Sequence, residues 1–313
     1  MRIVQPILIL FLAATLSFAA NYTYDSAGRL VRIDYGSAGS VIYTYDVAGN
    51  LIGRSVQSSS APGTITSINT AGSPASAGIA QNTWVEIHGT NLVPASTVST
   101  GVTWSNAPDF AQGRLPTQLN GISVTVNGKS AYVYFYCSAA TDPACATDQI
   151  NALTPLDSTT GPVKVVVTNG TTPTAPFTAT MQTVVPSFLL FSPLGYVAAT
   201  HLNFTLIGPP TLFPDASTPA APGEIVVVYG VGFGLPSAAV TSGSATQTGM
   251  LPSLPSCSIG GAPAAVGFAG PISPGLYQFN ITVPTTAQAA DDAISCSYSG
   301  STTPAGDLLT VHP

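Results

Sequence analysis

The 313-residue sequence predicts an all-β fold, with two antiparallel β-sandwiches in tandem behind a short hairpin region. Three observations lead there. Short apolar segments alternate with polar residues at a period of two and are bounded by Gly, Pro and Asn-Gly turn signals. No segment of useful length carries the 3.6-residue period of a helix. Landmarks of one half also return in order in the other, which marks a duplicated domain. Gln149, Asn151 and Pro155 in Asp-Gln-Ile-Asn-Ala-Leu-Thr-Pro answer Gln278, Asn280 and Pro284 in Tyr-Gln-Phe-Asn-Ile-Thr-Val-Pro. Around them residues 89–92 answer 230–233, 115–116 answer 251–252, 126–128 answer 259–261, and 163–170 answer 293–300.

The first nineteen residues read as an address. Arg2 gives a short positive region, residues 7–18 an apolar run, and Ser17-Phe18-Ala19 a small-x-small cleavage site, with Ala20 the expected mature N-terminus. The apolar run is short for a membrane span, and no later stretch is a good one. Export places the protein outside the cytoplasmic membrane: extracellular, on the cell surface or periplasmic. Charged residues make up only 6% of the chain and its formal net charge is −6. Without a basic patch to neutralise phosphates, nucleic acid is not an expected partner.

Residues 20–54 carry a shorter repeat. Tyr22-Thr23-Tyr24-Asp25-Ser26-Ala27-Gly28-Arg29-Leu30 returns 21 residues later as Tyr43-Thr44-Tyr45-Asp46-Val47-Ala48-Gly49-Asn50-Leu51. Tyr-Thr-Tyr favours a strand and Asp-x-x-Gly a turn, so each copy is strand, turn, strand. These motifs resemble the YD repeats of Rhs and teneurin-like proteins, in which many repeats wind into a β-shell. Two repeats cannot close a shell, so the resemblance implies local hairpins only. Residues 55–63, rich in Ser, Pro and Gly, read as a linker.

The first large repeat spans residues 64–181 and the second 182–313. In the first, Ile122, Val124 and Val126 alternate with Ser and Thr before an Asn-Gly turn, and Val163, Val165 and Val167 form another inward set. Between them, alternation places Val133, Phe135 and Cys137 on one face and Tyr132, Tyr134 and Tyr136 on the other. In the second, strands are expected at residues 225–233, 257–260, 277–283 and 293–298. Residues 222–234, Pro-Gly-Glu-Ile-Val-Val-Val-Tyr-Gly-Val-Gly-Phe-Gly, resemble the IPT/TIG class of immunoglobulin-like domains, and residues 84–92 are a looser copy. With the Gln-x-Asn-x-x-x-Pro segments, residues 65–313 resemble the Solibacter-type uncharacterised C-terminal domain family. That resemblance implies tandem immunoglobulin-like sandwiches at the end of an exported bacterial protein, and it hands over no catalytic residues.

The even cysteine count suits an exported chain. Cys137 and Cys145 close a short loop, while Cys257 and Cys296 lie on the apolar side of two strands, so the expected bridges are Cys137–Cys145 and Cys257–Cys296. Four scattered cysteines without a CxxC pair argue against the rival metal site. Asp142 and Asp148 beside that short loop could offer oxygens to calcium, but two carboxylates fall short of its ligand demand, and a solvated loop is expected instead. Asp291-Asp292 reads as a polar turn.

No catalytic constellation is legible: three histidines, no Gly-x-Ser-x-Gly, no His-Glu-x-x-His and no phosphate loop. His88 shares a strand face with Trp84 and Glu86 and reads as a surface residue. The repeated Gln and Asn read as structural, because both copies carry them. Tyr132, Tyr134 and Tyr136 form the expected recognition surface, since the second copy has Ala265 and Gly267 opposite the first two. A stripe buried between the sandwiches or under the disulfide loop is the alternative. The expected function is a non-catalytic module for adhesion, surface structure or binding of a protein or polysaccharide at the cell surface, without cofactor or metal. A secreted carbohydrate-binding or hydrolase-accessory protein, and a spacer remnant of a larger Rhs-like protein, are the alternatives.

Overall fold

The computed structural model describes residues 20–35, 39–57, 62–72, 78–105, 107–191 and 194–312. The expected leader at 1–19 and residues 58–61 of the expected linker lie outside them. Two compact units result, Met1–Ala61 and Pro62–Pro313. Among the described residues there is no α-helix, only a single 3-10 turn at Pro108–Gln112, and no helix is long and apolar enough to cross a membrane.

The first unit is a four-stranded antiparallel meander: Asn21–Tyr24, Leu30–Asp34, Ser40–Tyr45 and Leu51–Gln57. Its two Asp-x-x-Gly turns are built alike. The Asp25 carboxylate accepts the backbone N–H groups of Ala27 and Arg29, and Asp46 accepts those of Ala48 and Asn50. Such an Asx turn supplies the hydrogen bonds that the reversing backbone lacks. The last strand runs to Gln57, so Ser55–Gln57 belong to the sheet rather than to a linker. Backbone pairing of Ile42 with Ser55 and Ser40 with Gln57 overrides their loop-like composition.

The second unit has two halves. In the first, a five-stranded sheet runs in the order Thr64–Thr70, Trp84–Thr90, Asp148–Leu153, Tyr132–Cys137, Val102–Thr103. A second sheet is centred on Ile122–Val126, Gly161–Asn169 and Phe177–Gln182. Ile87, Val133 and Ile150 of one sheet and Val124, Val165 and Met181 of the other share a single core, which is the payoff of the period-two alternation. In the second half Ile225–Val231, Leu276–Thr282 and Ala262–Ser273 repeat the central trio. The 12-residue Ala262–Ser273 strand pairs with Ser256–Ile259 at its start and with Leu276–Thr282 afterwards, so one strand serves both layers. Phe279 and Ile281 then pack with Ile259, Ile294 and Cys296 in the second core.

The duplication extends to register. Asn151 lies opposite Glu86 and Gln149 opposite His88, just as Asn280 lies opposite Val227 and Gln278 opposite Tyr229. In both copies the Gln side chain donates to the Asn side-chain oxygen two residues on, at 2.7 Å in the first and 2.8 Å in the second. Gly89 and Gly230 also correspond: a Cβ on either would press into a carbonyl of the adjacent strand, that of Thr64 or Ser187.

Both expected disulfides are present. Cys257 and Cys296 are direct cross-strand partners, and Cys137–Cys145 closes the short loop. Asp291-Asp292 is not a turn: both residues lie in the Ala290–Tyr298 strand, opposite Thr310 and Leu309. Asp291 is held there by hydrogen bonds from the Thr310 and Tyr196 hydroxyls, which satisfy a carboxylate that composition alone assigns to a turn.

Candidate functional site

The tyrosine strand does not alternate as expected. A β-bulge at Tyr134 puts Val133 opposite Ala152 but Phe135 opposite Asn151, and one extra residue reverses the facing of everything after it. Tyr136 therefore turns into the core at 3% exposure, and burial pushes its phenol pKa up, while Tyr132 is 6% exposed. The Tyr132 hydroxyl meets the Ser242 hydroxyl of the other half at 2.9 Å, so this ring belongs to the seam between the halves. Tyr134 alone of the three remains open, at 39% exposure. The second copy has the same bulge at the same place, with Gly267 at its apex. The bulge is therefore shared, and the aromatic ring on it is particular to the first copy.

The bulge brings Tyr134 beside both tryptophans of the chain. Its ring centre lies 5.8 Å from Trp84 and 5.0 Å from Trp104, with Trp84 and Trp104 5.6 Å apart, all edge to face. Trp84 is placed by outward alternation at the start of its strand. Trp104 follows the short Val102–Thr103 strand, its backbone N–H donating to the Tyr134 carbonyl at 3.1 Å, and Phe110 backs it at 5.3 Å. Edge-to-face packing suits the ring quadrupoles and holds the three as one cluster.

These rings wall a cleft of about 590 Å³ between the two halves. Glu86 and Asn151 add polar groups from the first half, and Leu189, Pro274 and Leu276 close it from the second. With its side-chain oxygen engaged by Gln149, Asn151 offers amide N–H donors, and Glu86 offers a carboxylate acceptor. Trp84 also donates its indole N–H to the Pro274 carbonyl at 2.8 Å, fixing the cleft floor across the seam. A cleft of this volume with aromatic walls and a few convergent polar groups is the usual form of a small-ligand site. At the positions of Trp84, Glu86, His88 and Tyr134 the second copy carries Ile225, Val227, Tyr229 and Gly267, so the fold itself does not require this set.

Asp148 is not a solvated loop residue. It is 6% exposed, and its carboxylate accepts the backbone N–H groups of Leu92 and Ala139 and the Ser138 hydroxyl. Asp142 caps its own turn by accepting the Ala144 N–H. Cys137, Asp142 and Cys145 lie close enough together to suggest a metal, but the disulfide consumes both sulfurs.

A second, shallower site was not singled out from the sequence. His201 Nδ1 lies 2.5 Å from Glu224 Oε1, and its Nε2 lies 3.0 Å from the Thr218 hydroxyl. Leu202, Asn203 and Thr205 complete a surface recess of about 370 Å³. The acid–imidazole–hydroxyl order comes from three segments spread over 24 residues and is invisible as a motif.

Residues 22–58 match the RHS Repeat family. No curated protein matches the chain in sequence. Among solved structures, the Bacteroides ovatus mixed-linkage glucan utilization locus protein SGBP-B, in complex with a mixed-linkage heptasaccharide, aligns with a TM-score of 0.31 and 10% identity. The alignment covers 94% of this chain and spans 63% of the length of that one.

Proposed function

We propose that this chain is an exported, non-catalytic binding module that holds a carbohydrate segment in the cleft walled by Trp84, Trp104 and Tyr134. Its two halves are read as tandem immunoglobulin-like sandwiches of the IPT/TIG type, a rigid frame for a site at their junction. The leader pattern of residues 2–19 and the RHS repeat are compatible with a place on the cell surface or outside the cell. The carrying observation is the aromatic cluster beside Glu86 and Asn151. Aromatic faces cover the apolar C–H surface of a sugar ring, while a carboxylate and an amide bond its hydroxyls. Among the described residues that line the cleft, Glu86 is the single charged side chain, which favours neutral over acidic glycans.

The test is calorimetry of the mature protein against neutral and acidic polysaccharides and cell-envelope fractions. Tyr134→Ala and Trp104→Ala should each weaken binding at least tenfold with an unchanged far-UV spectrum. Full affinity in both variants would sink the assignment, as would the lack of any bound polysaccharide.

A second reading rests on Thr218, His201 and Glu224. Glu224 orients the imidazole, and Nε2 faces a hydroxyl, the order that activates a nucleophile in acyl transfer. A fluorophosphonate probe that labels Thr218 in the native protein but not in His201→Ala would support a secreted hydrolase. An unlabelled protein would remove that reading.

A further inference from the structure

Residues 62–313 carry ten acidic side chains but only three basic ones, Arg114, Lys129 and Lys164. Two of those three meet in one place. Arg114 and Lys129 line a recess of about 490 Å³ at the seam, to which the second half contributes Ser242. The recess shares no lining residue with the tryptophan cleft, so it is a separate site. Arg114 is placed by the seam itself: Leu115 donates its N–H to the Gly243 carbonyl at 2.8 Å, and Ala245 donates to that of Gly113 at 2.8 Å. Lys129 follows the Asn127-Gly128 turn, in which both residues have positive φ. The fold demands neither cation. In the second copy Met250 stands at the position of Arg114, and Ala262 and Pro263 at those of Lys129 and Ser130.

Donors are left over in this recess. Among the described residues no acceptor engages the Arg114 guanidinium, and Asp109, in the same wall, forms no ion pair with it. A guanidinium presents five N–H groups in a planar fork that matches a carboxylate. Lys129 Nζ lies 3.3 Å from Asp157 Oδ1 and donates to the Leu156 carbonyl at 3.3 Å, which leaves one of its three N–H groups. Thr117 and Ser130 add hydroxyls, and Tyr132 and Ser242 add a hydroxyl pair joined at 2.9 Å.

We infer that this recess binds an acidic sugar, a hexuronate held by its carboxylate. The Arg114 fork takes the carboxylate with the free Lys129 N–H beside it, while Asp109 and the hydroxyls bond the sugar hydroxyls. The counter-charges choose the ligand. Asp109 and Asp157 balance Arg114 and Lys129, so no surplus positive charge is present to hold a phosphate dianion. One carboxylate flanked by hydroxyls suits that balance, and the recess has the size of a small-ligand site. This goes beyond the neutral glycan proposed for the cleft and does not rest on it.

Titration of the isotope-labelled mature protein, followed by backbone amide shifts, tests this with sodium glucuronate, glucose and inorganic phosphate as probes. Glucuronate should move the Arg114, Ser130 and Ser242 amides saturably and bind at least tenfold more tightly than glucose or phosphate. Arg114→Gln removes an exposed side chain without an internal partner, so the remaining amide spectrum should stay while glucuronate affinity falls at least tenfold. Lys164→Gln makes the same change of charge outside the recess and should bind as the wild type does. Glucuronate that leaves those amides unmoved overturns the inference, as does glucose or phosphate that binds as tightly. Full affinity in Arg114→Gln, or an equal loss in Lys164→Gln, overturns it too.

Discussion

Asn82 and Gln247 exchange two side-chain amide hydrogen bonds, 2.8 and 3.1 Å long, across the seam between the two halves of the large unit. Both are nearly inaccessible, at 3% and 5% exposure. A buried amide pair of this kind is costly to half-remove, because the surviving partner cannot recover water. Gln247→Leu should lower unfolding stability by about 1–3 kcal/mol in urea melts. A double cycle with Asn82→Gly, which keeps the left-handed backbone at φ 50°, should return a coupling of at least about 0.5 kcal/mol. Additive effects would mean that the pair does not tie the halves together.

Gly275 marks a second junction. It caps the turn between Ala262–Ser273 and Leu276–Thr282 at φ 67°, and a Cβ there would collide with the Leu153 side chain and crowd Trp84. Gly275→Ala therefore combines backbone strain with a clash at the cleft floor, for a loss of about 2–4 kcal/mol. Because Trp84 would shift, quenching of the intrinsic tryptophan fluorescence by iodide should increase in the same variant. An unchanged melt and spectrum would show that the hairpin does not press on Trp84.

How far this could be read in advance depends on what each feature leaves in the sequence. The Asp25 and Asp46 turns, both disulfides and the duplicated Gln149–Asn151 and Gln278–Asn280 pairs sit where pattern and spacing placed them, because local chemistry or repetition fixes them. The bulge at Tyr134 left no such trace: it adds one residue inside a strand whose alternation looks unbroken, so Tyr136 was expected outside and Phe135 inside. Comparing the copies held the signal, since Gly267 stands at the equivalent apex and glycine favours bulges. The cleft leaves no motif in the sequence because Trp104 reaches it from a loop and Pro274 from the other half. A usable hint was that the chain has only two tryptophans and both lie in the first copy. Asp148 and Asp291 read as solvated in the sequence because composition cannot show which donors the fold will bring to a carboxylate.

The two disulfides should differ in weight. Cys257–Cys296 closes a separation of 39 residues between strands of the second core, whereas Cys137–Cys145 closes one of 8 at the edge of the first half. On chain entropy alone the longer loop is worth about 4 kcal/mol and the shorter about 2.5. Paired Ser substitutions should reproduce that order in thermal melts, with the Cys257/Cys296 variant also losing core packing around Ile259 and Ile294. A larger loss from the Cys137/Cys145 pair would mean that this short loop carries a structural load its size does not suggest.

The pH dependence of stability should be bounded on both sides by two buried carboxylates acting in opposite directions. Asp307 is pushed up to about 6 by burial, and its Oδ2 is buried without a hydrogen-bond partner. A raised folded-state value means that the folded protein binds the proton more tightly than the unfolded chain does. The stabilising contribution is then full below about 4 and is lost as pH rises through about 6. Asp157 runs the other way. The Asn127 amide, followed by the Thr159 hydroxyl and N–H and the Lys129 ammonium, holds its carboxyl far below the usual range. Its contribution is present above the unfolded value near 4 and is lost as pH falls below it. The melting temperature should therefore peak between about pH 4 and 6 and decline toward neutrality. Asp307→Asn should flatten the neutral side, raising stability at pH 7 by about 1–2 kcal/mol with little change at pH 4. Asp157→Asn should flatten the acid side and lower stability at pH 7. If Asp307→Asn leaves the slope between pH 5 and 7 unchanged, the neutral-side decline has another source.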